Sequence, residues 1–349
     1  MHEEDIGIPP HHIFLGLIKL NGVGFQTLYK FFEDGKSLSD LLRSESPEEF
    51  MNFLGRTIEI KLTSELNWNA FLNDLVNRGR SYYEELRERN ISFILYTDYQ
   101  FPEFPPKMKM PVFWLFVEGN LENLYIKNAL TLVGSRGSSE IGFFLANTLL
   151  FGIGDVKESI VTISGLAAGI DQIVHELSLL MNIPTIAVLG NGLNENYPAS
   201  SKKLKEDILQ AGGTIITEYF PDMKPSKEAF VNRNRIQAAL SKTVIPLEWK
   251  EKSGTAHTIR FASEMGKQIC FVETPTCRKF FTEHALANSS AQRKYGGNIF
   301  ILPNAINSLL ETLGLTLQGS VIIEPTSPNL SHEKKSIDTN QPKQIGWDF

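Results

Sequence analysis

The sequence predicts an α/β protein, a doubly wound, mostly parallel sheet preceded by a small helical domain. Between residues 126 and 302, short apolar runs alternate with segments of helix length. The runs are continuous rather than alternating, as expected for parallel strands covered on both faces. Alternation with helices implies right-handed strand–helix–strand units that wind helices onto both faces of one sheet. Residues 11–90 instead carry apolar residues at helical spacing.

In chain order, "HIFLGLIKLNGVGFQTLYKFFEDG" is helical on either side of an Asn-Gly-Val-Gly turn, and "WNAFLNDLVNRGRSYYEELRERN" is a second amphipathic run. The turn "LNGVG", Leu20 to Gly24, resembles a helix-hairpin-helix, whose glycines let backbone N–H groups approach a DNA phosphate. It equally fits a tight turn between packed helices. From about residue 91 "ISFILYT" is strand-like, "YQFPEFPPKMKMPVF" is a proline-rich connector that excludes helix, and "FWLFVEG" is strand-like again. Seven further strands are expected at 129–133, 159–164, 185–190, 214–218, 243–249, 268–272 and 298–302. The expected organisation is a helical domain over 1–90, a sheet domain over 91–315 and a polar, disordered tail over 316–349. The tail ends in "IGWDF", where Trp347 and Phe349 have the form of a short peptide anchor; a frayed end is the plainer alternative.

Composition narrows the function. The chain has 349 residues, 42% of them hydrophobic, enough for a sizeable core. Its net charge is −6, so any site for a polyanion has to be a local patch. The two cysteines, Cys270 and Cys277, have no His/Cys cluster at zinc spacing and suit a reducing compartment. The start "MHEEDIGIPPHH" lacks the basic and apolar regions of a signal peptide, and no apolar stretch reaches the roughly 20 residues needed to span a bilayer. A soluble, cytoplasmic protein without a membrane partner is expected.

Four strands end in turns rich in glycine and small residues: "GSRGSS", "SGLAAGID", "GNGLNENYP" and "KSGTAHT". In an open parallel sheet these turns share the carboxyl edge, where ligands bind, and helix N-termini there favour anions. The turns nominate Gly134, Ser135, Arg136, Ser164, Gly165, Gly190, Gly192, Ser253, Gly254 and Thr255 as a phosphate-binding rim. Cations join them. Lys202 and Lys203 follow the third turn, and Arg233 and Arg235 in "FVNRNRIQAAL" are expected to open a helix. Residues 198–244 hold eight Lys/Arg against five Asp/Glu, a local excess of three in an acidic chain. Arginines in a first helical turn oppose the dipole, so they are expected to serve a ligand or a carboxylate.

Several chemistries are excluded. No G-x-x-x-x-G-K-[ST] occurs, the first turn is not G-x-G-x-x-G, and "HEL" at His175 lacks the second histidine of a zinc protease. No cofactor, metal or catalytic residue is expected. Asp171 and His175, four apart on a helix, are candidates to pair with each other.

The run from "YTDYQFPEFPPKMKMPVFWLFVEGN" through "VGSR", "SGLAAGID…H", "AVLGNGLNENYPASSKKL", "TEYFP", "FVNRNRIQAALS" and "SGTAHTIRFASEMGK" resembles the DNA-processing protein A (DprA/Smf) family, in the family's order. The front segment resembles the family's SAM/helix-hairpin-helix-like domain. The resemblance implies an extended Rossmann-like domain that binds single-stranded DNA as a homodimer, protects the strand and helps load a RecA-type recombinase, without catalysis. By position, Arg136 matches the arginine of the family's Gly-Ser-Arg turn, Lys202 the lysine after its Tyr-Pro turn, and Arg233 and Arg235 its Arg-Asn-Arg. There are departures: Ala168 stands where the family usually has arginine, Val231 replaces a proline, and "ETPTCRKFFTEHALANSSAQRKYGG" replaces a Pro-Gly after residue 272.

Two alternatives belong to other classes. A nucleotide-sensing module of the same fold, in a stress or phage-defence system, would use the same rim for a small ligand. A nucleoside monophosphate hydrolase of the cytokinin-activating type would need a glutamate where "GTAHT" has Thr258. Tyr197 and Phe230 are the candidates for base stacking.

Overall fold

The computed structural model describes residues 7–60, 62, 67–156 and 158–317. The tail expected to be disordered lies outside the described residues from position 318 onward, with Trp347 and Phe349.

The front of the chain forms α1 (Pro10–Leu17), α2 (Phe25–Glu33), α3 (Leu38–Leu42), α4 (Pro47–Leu54) and α5 (Trp68–Glu88). Local signals start these helices. Ser46 caps α4 by accepting from the Glu49 N–H, Pro47 occupies its first position, and Asn67 caps α5 by accepting from the Ala70 N–H. Helices α1 and α5 cross closely because Gly16 and Gly79 lie at the contact. A Cβ on Gly79 would run into the His12 carbonyl, and one on Gly16 into that of Leu75.

All nine expected strands are present, and they form one sheet. They are β1 (Ile91–Leu95), β2 (Trp114–Gly119), β3 (Asn128–Val133), β4 (Ile160–Ser164), β5 (Thr185–Val188), β6 (Thr214–Thr217), β7 (Thr243–Pro246), β8 (Gln268–Glu273) and β9 (Asn298–Ile301), in the order β1-β2-β6-β5-β4-β3-β7-β8-β9. Seven strands, β6 through β9 in that order, run parallel; β2 joins β6 antiparallel and β1 joins β2 antiparallel. The connecting helices are α6 (Glu140–Gly154), α7 (Ile170–Leu180), α8 (Lys202–Gln210), α9 (Lys227–Leu240), α10 (Gly254–Glu264), α11 (Pro275–Lys279), α12 (Glu283–Tyr295) and α13 (Ile306–Leu313).

Successive residues of β3 face opposite ways: Leu130 and Leu132 pack with α6, α7 and α13, whereas Ala129 and Val133 pack with α9, α10 and α12. This is the doubly wound, Rossmann-like arrangement. Chain order reverses between β3 and β7, which makes their carboxyl ends the switch point of the sheet.

The front helices share a core with the sheet rather than standing apart. Phe14 packs 4.8 Å from Phe93 and 5.0 Å from Trp114, and Phe25 lies 5.0 Å from Tyr219, ring centre to ring centre. Among the described residues, no helix is long and apolar enough to cross a membrane.

Candidate nucleic-acid interface

The four small-residue turns follow β3, β4, β5 and β7, which are neighbours in the order β5-β4-β3-β7 and run parallel. They therefore form one uninterrupted stretch of the carboxyl edge.

The turn after β3 is fastened on two sides. The Ser135 N–H donates to the Glu248 carbonyl at 2.6 Å, and the Ser139 N–H donates to Glu248 Oε2 at 2.7 Å. On the other side the Ile170 N–H donates to the Ser135 carbonyl at 3.0 Å. Gly169, with φ of +81°, lets α7 start against this turn, since a Cβ there would strike the carbonyls of Ser135 and Arg136. The fixed backbone presents the exposed Arg136 side chain with its guanidinium carbon 5.5 Å from the centre of the Phe230 ring. Phe230 lies 5.0 Å from Tyr197 at 34°, and Tyr197 is 43% exposed. One cation and two aromatic rings thus sit together at the edge. Lys202, the first residue of α8, is also exposed, and among the described residues it makes no ion pair.

The other two nominated cations are interior. Helix α9 starts at Lys227, capped by Ser226, which accepts from the Ala229 N–H, so Arg233 and Arg235 lie past its first turn rather than opening it. Arg235, 2% exposed, donates through both terminal nitrogens to the Glu218 carboxylate at 2.6 Å and through Nε to the Met110 carbonyl at 2.9 Å. It serves a carboxylate, the second of the two roles expected for it. Arg233, 4% exposed, donates to the Val188 carbonyl at 2.9 Å and faces Asp171 at 4.0 Å. Its guanidinium fills the space that a Cβ on Gly165 would need. Neither side chain reaches the surface where a phosphate would bind; Arg233 braces the ends of β4 and β5 from beneath.

Asp171 and His175 do not pair with each other. Burial pushes the Asp171 carboxyl up, opposed by Arg233 and by N–H groups of the 165–167 turn. His175 Nδ1 meets Thr185 Oγ1 at 2.7 Å, and burial, aided by Arg233, lowers its pKa to about 3.

Several backbone N–H groups in three of the turns are therefore already engaged. Glu248 holds the first turn and Asp171 the second, while in the third the Gly192 N–H donates to Met223 and that of Asn194 to Pro221. Ser164, Gly165, Gly190 and Gly192 are buried, and the Ser164 hydroxyl donates to the Leu132 carbonyl at 2.7 Å. Close packing accounts for two of these glycines, because a Cβ would meet Phe230 at Gly190 and the Phe220 and Pro221 carbonyls at Gly192.

The turn after β7 differs. Among the described residues the buried Ser253 hydroxyl has no partner, and the N–H groups of Gly254, which is exposed, and Thr255, which is buried, make no hydrogen bond. Asn234 donates to the Gly254 carbonyl at 3.1 Å and steadies this helix start. Of the nominated residues, Arg136, Lys202 and Gly254 at the start of α10 are exposed.

Glu248 was not among the nominated residues. The strand expected over 243–249 encloses it, whereas β7 ends at Pro246 and leaves Glu248 two positions beyond. The rewritten segment after residue 272 forms α11 and α12 and closes the β7–β8 end of the edge. There His284 donates through Nε2 to the Val272 carbonyl and accepts from the Trp249 N–H, while the Trp249 indole donates to Asn288 at 2.7 Å. Thr258, at the position where a hydrolase would need glutamate, is 1% exposed. Among the described residues, no group of three His, Cys, Asp or Glu is arranged to hold a metal. A cavity of about 660 Å³ opens between the Gly22–Gly24 turn and residues 219–232, lined in part by Lys19, Phe25, Arg56 and Phe220.

The model of the family "DNA recombination-mediator protein A" matches residues 92–302, three-fifths of the chain. Protein Smf of Escherichia coli is 37% identical over 165 residues, 46% of this chain and 42% of that protein. The chain spans about half the length of the curated relatives it matches. The X-ray structure of DNA processing protein A from Streptococcus pneumoniae superposes with a TM-score of 0.62 at 23% identity, covering 85% of this chain and 97% of that one. A structure describing a unique single-stranded DNA binding mode of DNA processing protein A from Helicobacter pylori gives 0.54 at 27% identity, covering 64% of this chain and 96% of that one. With the family model matched from β1 to the end of β9, this chain belongs to the DNA recombination-mediator protein A family.

Proposed function

We propose that the chain binds single-stranded DNA along the carboxyl edge between β5 and β7, and acts by holding the strand rather than by catalysis. The observation that carries this reading is the grouping of exposed Arg136 with Tyr197 and with Phe230 near the start of α9, the helix whose Asn234 holds the exposed Gly254 that opens α10. Guanidinium and N–H groups neutralise phosphates, and aromatic faces stack unpaired bases with little regard to sequence. A duplex keeps its bases stacked inside and offers nothing to those rings. The single-stranded DNA binding mode described for the Helicobacter pylori relative supports the same reading.

We further propose that a homodimer protects the bound strand and hands it to a RecA-type recombinase. The family's description as a recombination mediator supports this step.

Fluorescence anisotropy with a labelled single strand and its duplex tests the binding. The single strand is expected to bind at least about tenfold more tightly, the equivalent of about 1.4 kcal/mol and within what one stacked base contributes. Equal affinity for the two forms overturns the proposal.

A further inference from the structure

We propose that Glu248 is a specificity-determining residue: its carboxylate occupies the anion site at the start of α6, so the switch-point crevice refuses the phosphate of a free nucleotide. The role rests on the single-strand reading above for its purpose, but its chemistry is independent of it.

In an open α/β sheet, a nucleotide phosphate characteristically sits at the helix that follows the switch-point strand, against the N–H groups of that helix's first turn. Here that helix is α6. Its first turn is already in contact with an anion, supplied by the chain. Glu248 Oε2 accepts from the Ser139 N–H at 2.7 Å, and the Glu248 backbone carbonyl accepts from the Ser135 N–H at 2.6 Å. Gly142 completes the cradle, because a Cβ on it would meet the Glu248 carboxylate. The glycine therefore admits an acidic side chain of the same protein into the space beside the helix start.

Capping accounts for the hydrogen bond, since Glu248 accepts from the N–H of Ser139 itself, which the Ser139 hydroxyl cannot serve. It does not account for the charge, because a neutral oxygen would do the same. Ser139 already caps the helix, its hydroxyl accepting from the Ile141 N–H at 3.2 Å. Glu248 adds a negative charge to an end that has its cap. At the start of α10, by contrast, the buried Ser253 hydroxyl and the Gly254 and Thr255 N–H groups lack partners among the described residues, and Gly254 is exposed. One helix start on the edge is thus closed to phosphate by a fixed carboxylate, and its neighbour across the switch point is open. A phosphate entering at α6 must displace the carboxylate or lie against it, and like charges held together discriminate strongly between ligands. A strand can lay its phosphates on Arg136 and the start of α10, leaving the closed site alone.

The test uses the full-length protein and the variants Glu248→Gln and Glu248→Ala, titrated with AMP and with inorganic phosphate by calorimetry. Glutamine retains an oxygen for the Ser139 N–H but carries no charge; alanine empties the cradle. Both variants are expected to bind AMP at least about tenfold more tightly than the parent, alanine more than glutamine. Folding is checked by circular dichroism. Folded variants with no gain for AMP or phosphate overturn the proposal. The parent alone gives a second test, whatever the variants do: AMP at millimolar concentration is expected not to protect it against thermal unfolding, and saturable protection overturns the proposal. Because neither arm contains DNA, failure of the single-strand reading would leave these results readable, and the reverse also holds.

Discussion

Arg235 and Arg136 show how surroundings divide one residue type between two tasks. Arg235 lies between the Glu218 carboxylate and the Met110 carbonyl, 2% exposed, whereas Arg136 projects from the edge over Phe230. Removing one member of a buried pair strands the other charge without solvent. Arg235→Ala is therefore expected to cost about 3–5 kcal/mol in urea unfolding, and Arg136→Ala to stay within about 0.5 kcal/mol of the parent. If the two substitutions prove equally mild, the interior role assigned to Arg235 is refuted. The spacing "RNR" could not separate these tasks, because a phosphate and Glu218 ask the same of a guanidinium. What separates them is the start of α9, set by Ser226, which carries both arginines past the first turn and into the interior. Glu248 was hidden for a related reason: its partner Ser139 lies 109 positions away, and β7 ends at Pro246 rather than running through residue 249.

At the scale of the element, α7 carries a titration that its packing dictates. His175 is buried, with one ring nitrogen on Thr185 and the other unpartnered, and its pKa falls to about 3 from an ordinary value of 6.5. Between those values the unfolded chain takes up a proton that the folded chain refuses. The stability contributed by neutral His175 is therefore complete above pH 6.5 and is lost as pH falls towards 3, at about 1.4 kcal/mol per unit. Asp171 runs the other way, because burial raises its carboxyl and the folded state holds that proton more tightly. Comparing the parent with His175→Gln isolates the histidine. The parent's stability relative to the variant is expected to shrink by about 1.4 kcal/mol for each unit between pH 6 and pH 4, followed by urea unfolding. A constant difference over that range contradicts the assignment. Local caps at Ser46, Asn67 and Ser226 set where α4, α5 and α9 begin, and for α9 that start lies earlier than expected from the sequence.

At the scale of the whole molecule, every strand was legible because each is a continuous apolar run, the mark of a sheet covered on both faces. The antiparallel edge of β1 and β2 and the packing of the front helices were not, since both depend on contacts far apart in sequence. Phe14 and Phe25 complete a core with Phe93, Trp114 and Tyr219, so the front helices and the sheet are expected to unfold together. Phe14→Ala should lower stability by about 3–5 kcal/mol while leaving a single transition, followed by both circular dichroism and tryptophan fluorescence. Two separated transitions would show instead that the helices fold on their own.

The claim that the carboxyl edge holds a strand by its phosphates is tested most directly by the salt dependence of single-strand binding, for the parent and for Arg136→Ala. For single strands, the logarithm of affinity falls with the logarithm of salt concentration by about 0.7 for each phosphate neutralised. Arg136→Ala is expected to bind more weakly and to have a slope shallower by about 0.7. Unchanged affinity and slope would contradict the account.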